Sequence, residues 1–173
     1  GLDGRRKGLD LVLDAFEEIE ERVPGVTLTI VTDTEQLDSR LRTVCVRSDA
    51  ITLHGPLPAD DLDELYESHS LFVMPSRFEA WGKVFFEAMS FGLPVIGADR
   101  CAMPEFIENG VNGYTVDLDK DDFARRTEAI FAERGRYDSL TKNALMTAEQ
   151  YTWSRVLDEI QAIIEREVAN ESD

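Results

Sequence analysis

The sequence predicts an α/β fold in which one parallel β-sheet is covered by helices on both faces. Helical and strand patterns alternate as far as residue 120, as in folds built from strand–helix–strand units. The segment 26–31 is rich in β-branched residues, which favours a strand, and the apolar segment 71–74 is expected to be a buried strand. From residue 121 onward only helical patterns follow, so the sheet is expected to end there.

The first helix is predicted over 7–22, where apolar residues recur at helical spacing and Pro24-Gly25 ends the pattern. These apolar residues are Leu9, Val12, Phe16, Ile19 and Val23. The segment 34–44 is weakly helical, and 58–68 begins with a proline and an acidic first turn, both of which favour a helix start. The remaining predicted elements are strands at 26–31, 51–54, 71–74, 94–98 and 113–116, and helices at 83–90, 104–108, 121–134, 138–150 and 152–168.

No linker, repeat or low-complexity run divides the chain, so residues 1–173 are expected to form a single domain. The net charge of −17, with 35 acidic and 18 basic residues, argues against nucleic acid as a partner and against docking on anionic lipid. No apolar run is long enough for a membrane span. Two distant cysteines, Cys45 and Cys101, lack metal spacing, suit a reducing cytosol, and are expected to be buried or half-buried free thiols. A cytoplasmic location is therefore expected.

Residues 75–97 form the most informative segment of the sequence. Two carboxylates, Glu79 and Glu87, lie there with a glycine turn between them and an apolar strand on each side. In open α/β sheets, ligands bind at the carboxyl ends of strands and near helix N-termini, which is where this order of elements places both residues. Their spacing alone is a weak motif, since Glu159 and Glu167 repeat it within a plain helical segment.

The context of the two carboxylates resembles the nucleotide-sugar-binding half of retaining glycosyltransferases of family 4. That family runs Pro-Ser, two residues, Glu, any residue, Phe or Trp, and Gly, followed by Glu-Ala-Met and Gly-x-Pro-Val. The residues that fit are Ser76, Glu79, Trp81, Gly82, Glu87, Ala88, Met89, Gly92, Pro94 and Val95. The resemblance extends to Lys7-Gly8, Pro104-Glu105 and Asn112-Gly113, and so covers most of the chain.

The resemblance implies a Rossmann-like three-layer αβα domain, one half of the two-domain GT-B architecture, with C-terminal helices. It implies transfer of a hexose-type sugar from a nucleoside diphosphate to an acceptor hydroxyl, with retention and without a metal or other cofactor. His54 and His69, the only histidines, show no metal-ligand spacing.

The resemblance also implies that parts of the family's fold lie outside this sequence. The acceptor-binding half is absent, and the opening strand and a phosphate-binding arginine are expected at or before position 1, which is Gly1. In the family, the segment corresponding to 152–168 crosses to the acceptor half. In this fragment, Trp153, Val156, Ile160 and Ile163 are expected either to fold onto this domain or to leave an apolar patch. The fragment alone is expected to be inactive. A lipid and a polysaccharide both stay open as acceptors, and the full-length enzyme is expected in the cytoplasm or at the inner face of the membrane.

A diphosphate needs positive charge or N–H donors, and Lys7, with Arg5 and Arg6 beside it, is the best candidate at the first helix. The alternative is that these three residues belong to an ordinary basic loop that is exposed to solvent and binds no ligand. Ala80, Trp81, Gly82 and Lys83 open the next helix and could meet a phosphate or sugar oxygen, although an ordinary helix start would look the same.

By resemblance, Glu79 contacts the donor sugar beside the reacting carbon and is the catalytic candidate, whereas Glu87 accepts hydrogen bonds from the ribose. The alternative for Glu79 is a carboxylate that only complements the helix dipole. The alternative for Glu87 is an ordinary glutamate on the helix surface. Gly55 and Leu57, in the turn after His54, are expected beside the nucleobase, or else form a plain turn. Glu105 is as well explained by a structural hydrogen bond as by a ligand.

Two other functions stay open. A nucleotide-sugar epimerase on the same architecture would release free nucleotide without an acceptor. A non-catalytic sugar-nucleotide-binding domain would bind the donor without turnover, and the missing arginine favours it, whereas the presence of Lys7, Glu79 and Glu87 disfavours it.

Overall fold

A computed structural model of the chain describes residues 4–35 and 37–170, with all their side chains except those at 46, 47, 153, 156, 159 and 167–170. Helices and strands alternate over most of this part, as predicted. The helices are α1 (Leu9–Arg22), α2 (Ser39–Arg47), α3 (Ala59–Ser68), α4 (Lys83–Ser90), α5 (Met103–Phe106), α6 (Lys120–Phe131), α7 (Arg134–Gln150) and α8 (Trp153–Asn170). The strands are β1 (Leu28–Val31), β2 (Ile51–His54), β3 (Phe72–Met74), β4 (Val95–Ala98) and β5 (Gly113–Val116).

Local capping explains where the helix limits differ from the predicted ones. The helix predicted over 34–44 begins at Ser39, because the Asp38 side chain accepts the backbone N–H of Arg40 at 2.8 Å and so fixes the N-cap. Asp119 caps α6 in the same way. The helix predicted from residue 138 begins at Arg134, because the Glu133 carbonyl already accepts the N–H groups of Arg136 and Tyr137.

The strands of the described chain form two parallel sheets, in the orders β1-β2 and β3-β4-β5. In the first sheet Leu28 pairs with Ile51, and in the second Phe72 pairs with Val95, which in turn pairs with Gly113. A cleft separates β1 from β3. The predicted α/β class with a parallel arrangement is confirmed, but the strands present do not hydrogen-bond into one continuous sheet.

The core lies around β4 and β5, which are buried along their whole length. Phe85 of α4 is fully buried there. Phe86 and Phe91 are only partly buried and pack at the margin of this core. Phe86 stacks on Trp81, which is exposed, at a centroid distance of 5.8 Å.

The two thiols differ in their surroundings. Cys45 is buried in the cluster between α1, α2 and β1, and burial raises its pKa. Cys101 is exposed, with a φ of 54°. The prediction that both thiols are at least half-buried is therefore wrong for Cys101, since it lies in a turn after β4 rather than in an element.

Helix α8 presents an exposed apolar surface. Its exposed apolar residues are Leu157, Ile160, Ile163 and Ile164. Of the two alternatives predicted for this segment, the described side chains favour the apolar patch; the predicted contributors Trp153 and Val156 lie outside the described side chains. No helix among the described residues is long and apolar enough to cross a membrane.

Candidate functional site

A tight turn over residues 4–8 leads into α1 and carries Lys7. The Gly4 carbonyl accepts the Leu9 N–H at 2.8 Å, and the Arg5 carbonyl accepts the Gly8 N–H at 3.1 Å. The turn is held against the segment that follows β3, because the Arg77 N–H donates to the Arg6 carbonyl at 2.8 Å. Two segments about 70 positions apart are thereby brought to the carboxyl edge of the sheet.

Gly8 makes the closest approach between these segments. It has a φ of 81°, and a Cβ atom placed on it would lie 2.1 Å from the Pro75 carbonyl oxygen. Nearby, the Arg77 guanidinium donates to both carboxylate oxygens of Asp10, at 2.7 and 3.0 Å. Such a two-point pair fixes orientation as well as distance. The turn and the loop after β3 are therefore one structural unit.

Lys7 and Glu79 form an ion pair at the centre of this unit, in which Lys7 Nζ donates to Glu79 Oε2. The two side chains are only 20% and 15% exposed. Burial by itself raises the pKa of Glu79, but the hydrogen bond and charge of Lys7, the charge of Arg6 and the Gly82 N–H together hold that pKa below its ordinary value of 4.5. The carboxylate is therefore charged at neutral pH and is directed at an ammonium group.

This pair predicts a stability that depends on pH. Because the folded-state pKa of Glu79 is lowered, its stabilising contribution is present above the unfolded-state pKa and is lost as pH falls through the folded-state value. We expect Glu79→Gln to cost about 1–2 kcal/mol of unfolding free energy at pH 7 and much less at about pH 3. Chemical denaturation across this range measures the difference. The exposed Glu64, changed to Gln, is the control; an equal pH dependence for both variants would contradict the expectation.

Helix α4 begins next to this pair. Gly82, its N-cap, has a φ of 74°, and a Cβ there would lie 2.7 Å from a ring carbon of Phe85. A glycine is thus needed for the chain to turn from Glu79 into the helix. Lys83 pairs with Glu87 one turn on, at 3.0 Å, with its own side chain 79% exposed. Ala80 and Trp81 are exposed beside the helix start.

The cleft between β1 and β3, with a volume of about 350 Å³, opens at this same edge. Both Lys7 and Glu87 line it. Lys7, which is paired with Glu79, and Glu87 thus border the same cleft. Gly55 and Leu57 follow β2 at the carboxyl edge, but they are not among the residues that line the cleft. Their assignment to the nucleobase stays a prediction.

The family model for glycosyl transferases group 1 matches residues 1–133. The chain belongs to the group 1 glycosyl transferases. Among curated relatives, it is 27% identical over 171 residues to mannosylfructose-phosphate synthase of Agrobacterium fabrum (strain C58 / ATCC 33970), covering 92% of this chain and 38% of the relative. It is 33% identical over 109 residues to D-inositol 3-phosphate glycosyltransferase of Streptomyces bingchenggensis (strain BCW-1), covering 62% of this chain and 24% of the relative.

Solved structures share the fold of this group 1 glycosyl transferase chain. The pneumococcal O-GlcNAc transferase GtfA, in complex with UDP and GlcNAc, aligns with a TM-score of 0.79 at 24% identity, over 94% of this chain and 33% of that one. Anabaena Alr3699/HepE, in complex with UDP and glucose, aligns with a TM-score of 0.79 at 22% identity, over 98% of this chain and 47% of that one. The chain thus spans less than half the length of these proteins, and it matches a Rossmann-like half of a GT-B fold.

Sequence reasoning missed two residues of the site of this glycosyl transferase chain, Asp10 and Arg77. Nothing local marks them, since their ion pair joins positions 67 apart. Glu105, which was left open between two roles, is exposed on α5. Within residues 4–35 and 37–170, no group of three or more His, Cys, Asp or Glu side chains could hold a metal ion.

Proposed function

We propose that this chain is the donor-binding half of a retaining glycosyltransferase that moves a hexose-type sugar from a nucleoside diphosphate to an acceptor hydroxyl. The observation that carries the proposal is the Lys7–Glu79 pair at the mouth of a cleft that Glu87 also lines. One cation and two carboxylates at the carboxyl edge of a parallel sheet match a donor with an anionic diphosphate and many hydroxyl groups. Two similar folds were solved with UDP and a sugar.

In the proposed reaction, the bond between the anomeric carbon and a phosphate oxygen breaks, and its electron pair stays on the departing diphosphate. The acceptor oxygen forms the new bond to that carbon on the same face, and the hydroxyl proton passes to the departing phosphate oxygen. Lys7 stabilises the charge that develops on the diphosphate, and Arg6 adds to the positive potential. In this scheme side chains, and not a metal ion, stabilise the charge of the departing diphosphate. The proposed reaction therefore uses no metal cofactor.

Glu79 is the proposed catalytic residue. Its lowered pKa keeps it a carboxylate, so it accepts hydrogen bonds from sugar hydroxyls and favours positive charge on the sugar ring. Ala80, Trp81, Gly82 and Lys83 supply the surface against which the sugar and phosphates lie. The Gly82 N–H already donates to Glu79, so it acts by holding that carboxylate in position.

The nucleoside is assigned to the neighbouring residues of the same edge. Glu87 accepts hydrogen bonds from the ribose hydroxyls, and its pairing with Lys83 holds the carboxylate without burying it. Gly55 and Leu57 contact the base through their backbone. The acceptor, a lipid or a polysaccharide, binds to a second domain outside this sequence, so we propose that this chain binds donor but does not turn it over. A location of the whole enzyme in the cytoplasm or at the inner face of the membrane is part of this proposal.

Calorimetric titration with UDP, GDP and ADP, each with and without magnesium, tests the donor site. We expect one nucleotide to bind without metal, and Glu87→Gln to weaken it about tenfold, since the ribose loses a charge-assisted hydrogen bond. Glu20→Gln, a change at an exposed carboxylate near the end of α1 and away from the cleft, is the control and should leave the affinity unchanged.

The other outcomes separate the proposal from its rivals. An absolute need for magnesium would contradict the metal-free site, and equal effects of the two glutamine variants would contradict the role of Glu87. Release of nucleotide from its sugar conjugate with altered sugar stereochemistry, in the absence of any acceptor, would favour an epimerase. Donor binding with no transfer by the full-length protein would favour a non-catalytic domain.

A further inference from the structure

Four aromatic rings pack together beside the start of α4. Trp81 stacks on Phe86 at a centroid distance of 5.8 Å and meets Tyr151 edge to face, also at 5.8 Å. Phe86 in turn lies 4.6 Å from Phe106 and 4.5 Å from Tyr151. Aromatic pairs attract one another at centroid distances of about 4.5–7 Å. These four side chains therefore form one aromatic cluster.

The members of the aromatic cluster come from separate elements. Phe86 belongs to α4, and Phe106 belongs to the end of α5, where it is 5% exposed and so lies in the core. Trp81 belongs to the loop 79–82, which ends at the N-cap of α4. Tyr151 is the C-cap of α7 and lies in the two-residue connection to α8. The cluster thus joins the loop 79–82 to the point where α7 passes into α8.

The loop 79–82 is held at its ends by polar contacts and in its middle by the Trp81 ring. Glu79, at one end, is paired with Lys7, and its carboxylate also accepts the N–H of Gly82 at the other end. Trp81 lies between them with its side chain 47% exposed, and its ring contacts the other three members of the aromatic cluster. Because Trp81 is two positions from Glu79, the place of the ring also sets the place of the carboxylate.

Tyr151 differs from the two other rings that support Trp81. Phe86 is part of the helix that the loop enters, and Phe106 is held in the core against Phe85, at a centroid distance of 5.5 Å. Tyr151 is only partly buried and lies at the end of α7, outside both of these elements. Its contact with Trp81 is therefore one by which the C-terminal helices act on the loop.

We propose that Tyr151 is a positioning residue, which acts through the Trp81 ring to hold the loop 79–82, and with it the Glu79 carboxylate, at the donor site. The contacts of Tyr151 with Trp81 and Phe86 are made by its ring, so phenylalanine should replace Tyr151 whereas leucine should not. If Tyr151 only filled space between α4 and α7, its loss would loosen the whole core alike. The consequence for the donor rests on the proposed function, but the placement of the loop does not.

Amide hydrogen exchange tests the placement of the loop without any nucleotide. The Gly82 N–H donates to Glu79, so its protection reports whether the loop and the carboxylate are in place. We expect Tyr151→Leu to speed exchange at Gly82 by about fivefold or more, and Tyr151→Phe to leave it unchanged within about twofold. The Leu93 N–H, which donates to the Ala88 carbonyl at 3.2 Å, is the internal reference for the core.

Tyr137→Leu is the matched control, because Tyr137 is also on α7 and stacks on a ring outside the aromatic cluster, at a centroid distance of 5.9 Å. Faster exchange at Gly82 in Tyr151→Leu, without a change at Leu93, would support the proposal. Equal acceleration at both amides, no change at Gly82, or the same change at Gly82 in the control would each overturn it. Tyr151→Met, which also lacks the ring but keeps a longer side chain, gives the same reading if the leucine variant does not fold.

Calorimetric titration with UDP and with UDP-glucose tests the consequence for the donor. Since Glu79 is assigned to the sugar and Glu87 to the ribose, we expect Tyr151→Leu to weaken UDP-glucose about five- to tenfold and UDP by less than about twofold. Tyr151→Phe should restore both affinities. An equal loss for both ligands, or no loss for UDP-glucose, would overturn the role of Tyr151 in donor binding. Binding of neither ligand by the unchanged chain would contradict the proposed function instead, and the exchange result would still decide whether Tyr151 positions the loop.

Discussion

Replacing Gly8 with alanine is expected to lower the free energy of unfolding by about 3 kcal/mol or more, one of the two largest effects predicted for this chain. The residue has a φ of 81°, and a Cβ would lie 2.1 Å from the Pro75 carbonyl oxygen. A backbone atom cannot rotate away as a side chain can, so the turn at 4–8 and the end of β3 would have to separate. Chemical denaturation measures the loss, and the drop in Tm should be about 6–12 °C.

Gly25 provides a matched control, because its φ is 79° but a Cβ there would meet no atom within 4 Å. Gly25→Ala therefore carries the conformational cost alone, about 1 kcal/mol. The difference between the two variants isolates the contact with Pro75. If both variants lost the same stability, the close approach of the turn to β3 would be wrong, together with the placement of Lys7 that depends on it.

Most of the fold could be predicted because its signals are local. The limits of α4 and β4 follow from a glycine before the helix and a Gly-Leu-Pro after it, which allow few other conformations. The start of α2 was misplaced because its periodicity is weak and a single capping side chain, Asp38, decides where it begins. Strand order is non-local, so the apolar run at 71–74 predicted a buried strand but not which of its edges is paired.

The candidate site likewise combines residues that local sequence signals could predict with residues that depend on long-range contacts. Gly82, Glu79 and Glu87 lie within one short segment and could be proposed from the pattern around them. Lys7 lies 72 positions from Glu79, and only the resemblance to a family joined the two. The pair between Asp10 and Arg77 has no such support, because one long-range ion pair leaves no trace in a single sequence. It became visible only when the turn at 4–8 was found bonded to the loop after β3.

Lys7→Ala is expected to weaken binding of the nucleoside diphosphate by about 10- to 100-fold, the second of the large effects. The Lys7 ammonium is mostly buried beside Glu79, in a chain with a net charge of −17, so its removal makes the potential at this position more negative. Its loss leaves the carboxylate of Glu79 without its partner and directed at an anionic ligand, which adds repulsion to the lost attraction. Calorimetric titration of the unchanged chain and of the variant with the nucleoside diphosphate measures the change.

The choice of ligand separates a direct contact from an indirect one. If Lys7 acts on the diphosphate, the affinity for the nucleoside monophosphate should fall several-fold less than that for the diphosphate, because only one phosphate is present to lose its partner. If Lys7 only holds the turn in place, both affinities should fall alike, and the assignment to the diphosphate would be wrong. Lys120→Ala, at the exposed start of α6, removes the same charge far along the chain and should leave both affinities unchanged within about twofold, since exposed charges are screened by salt.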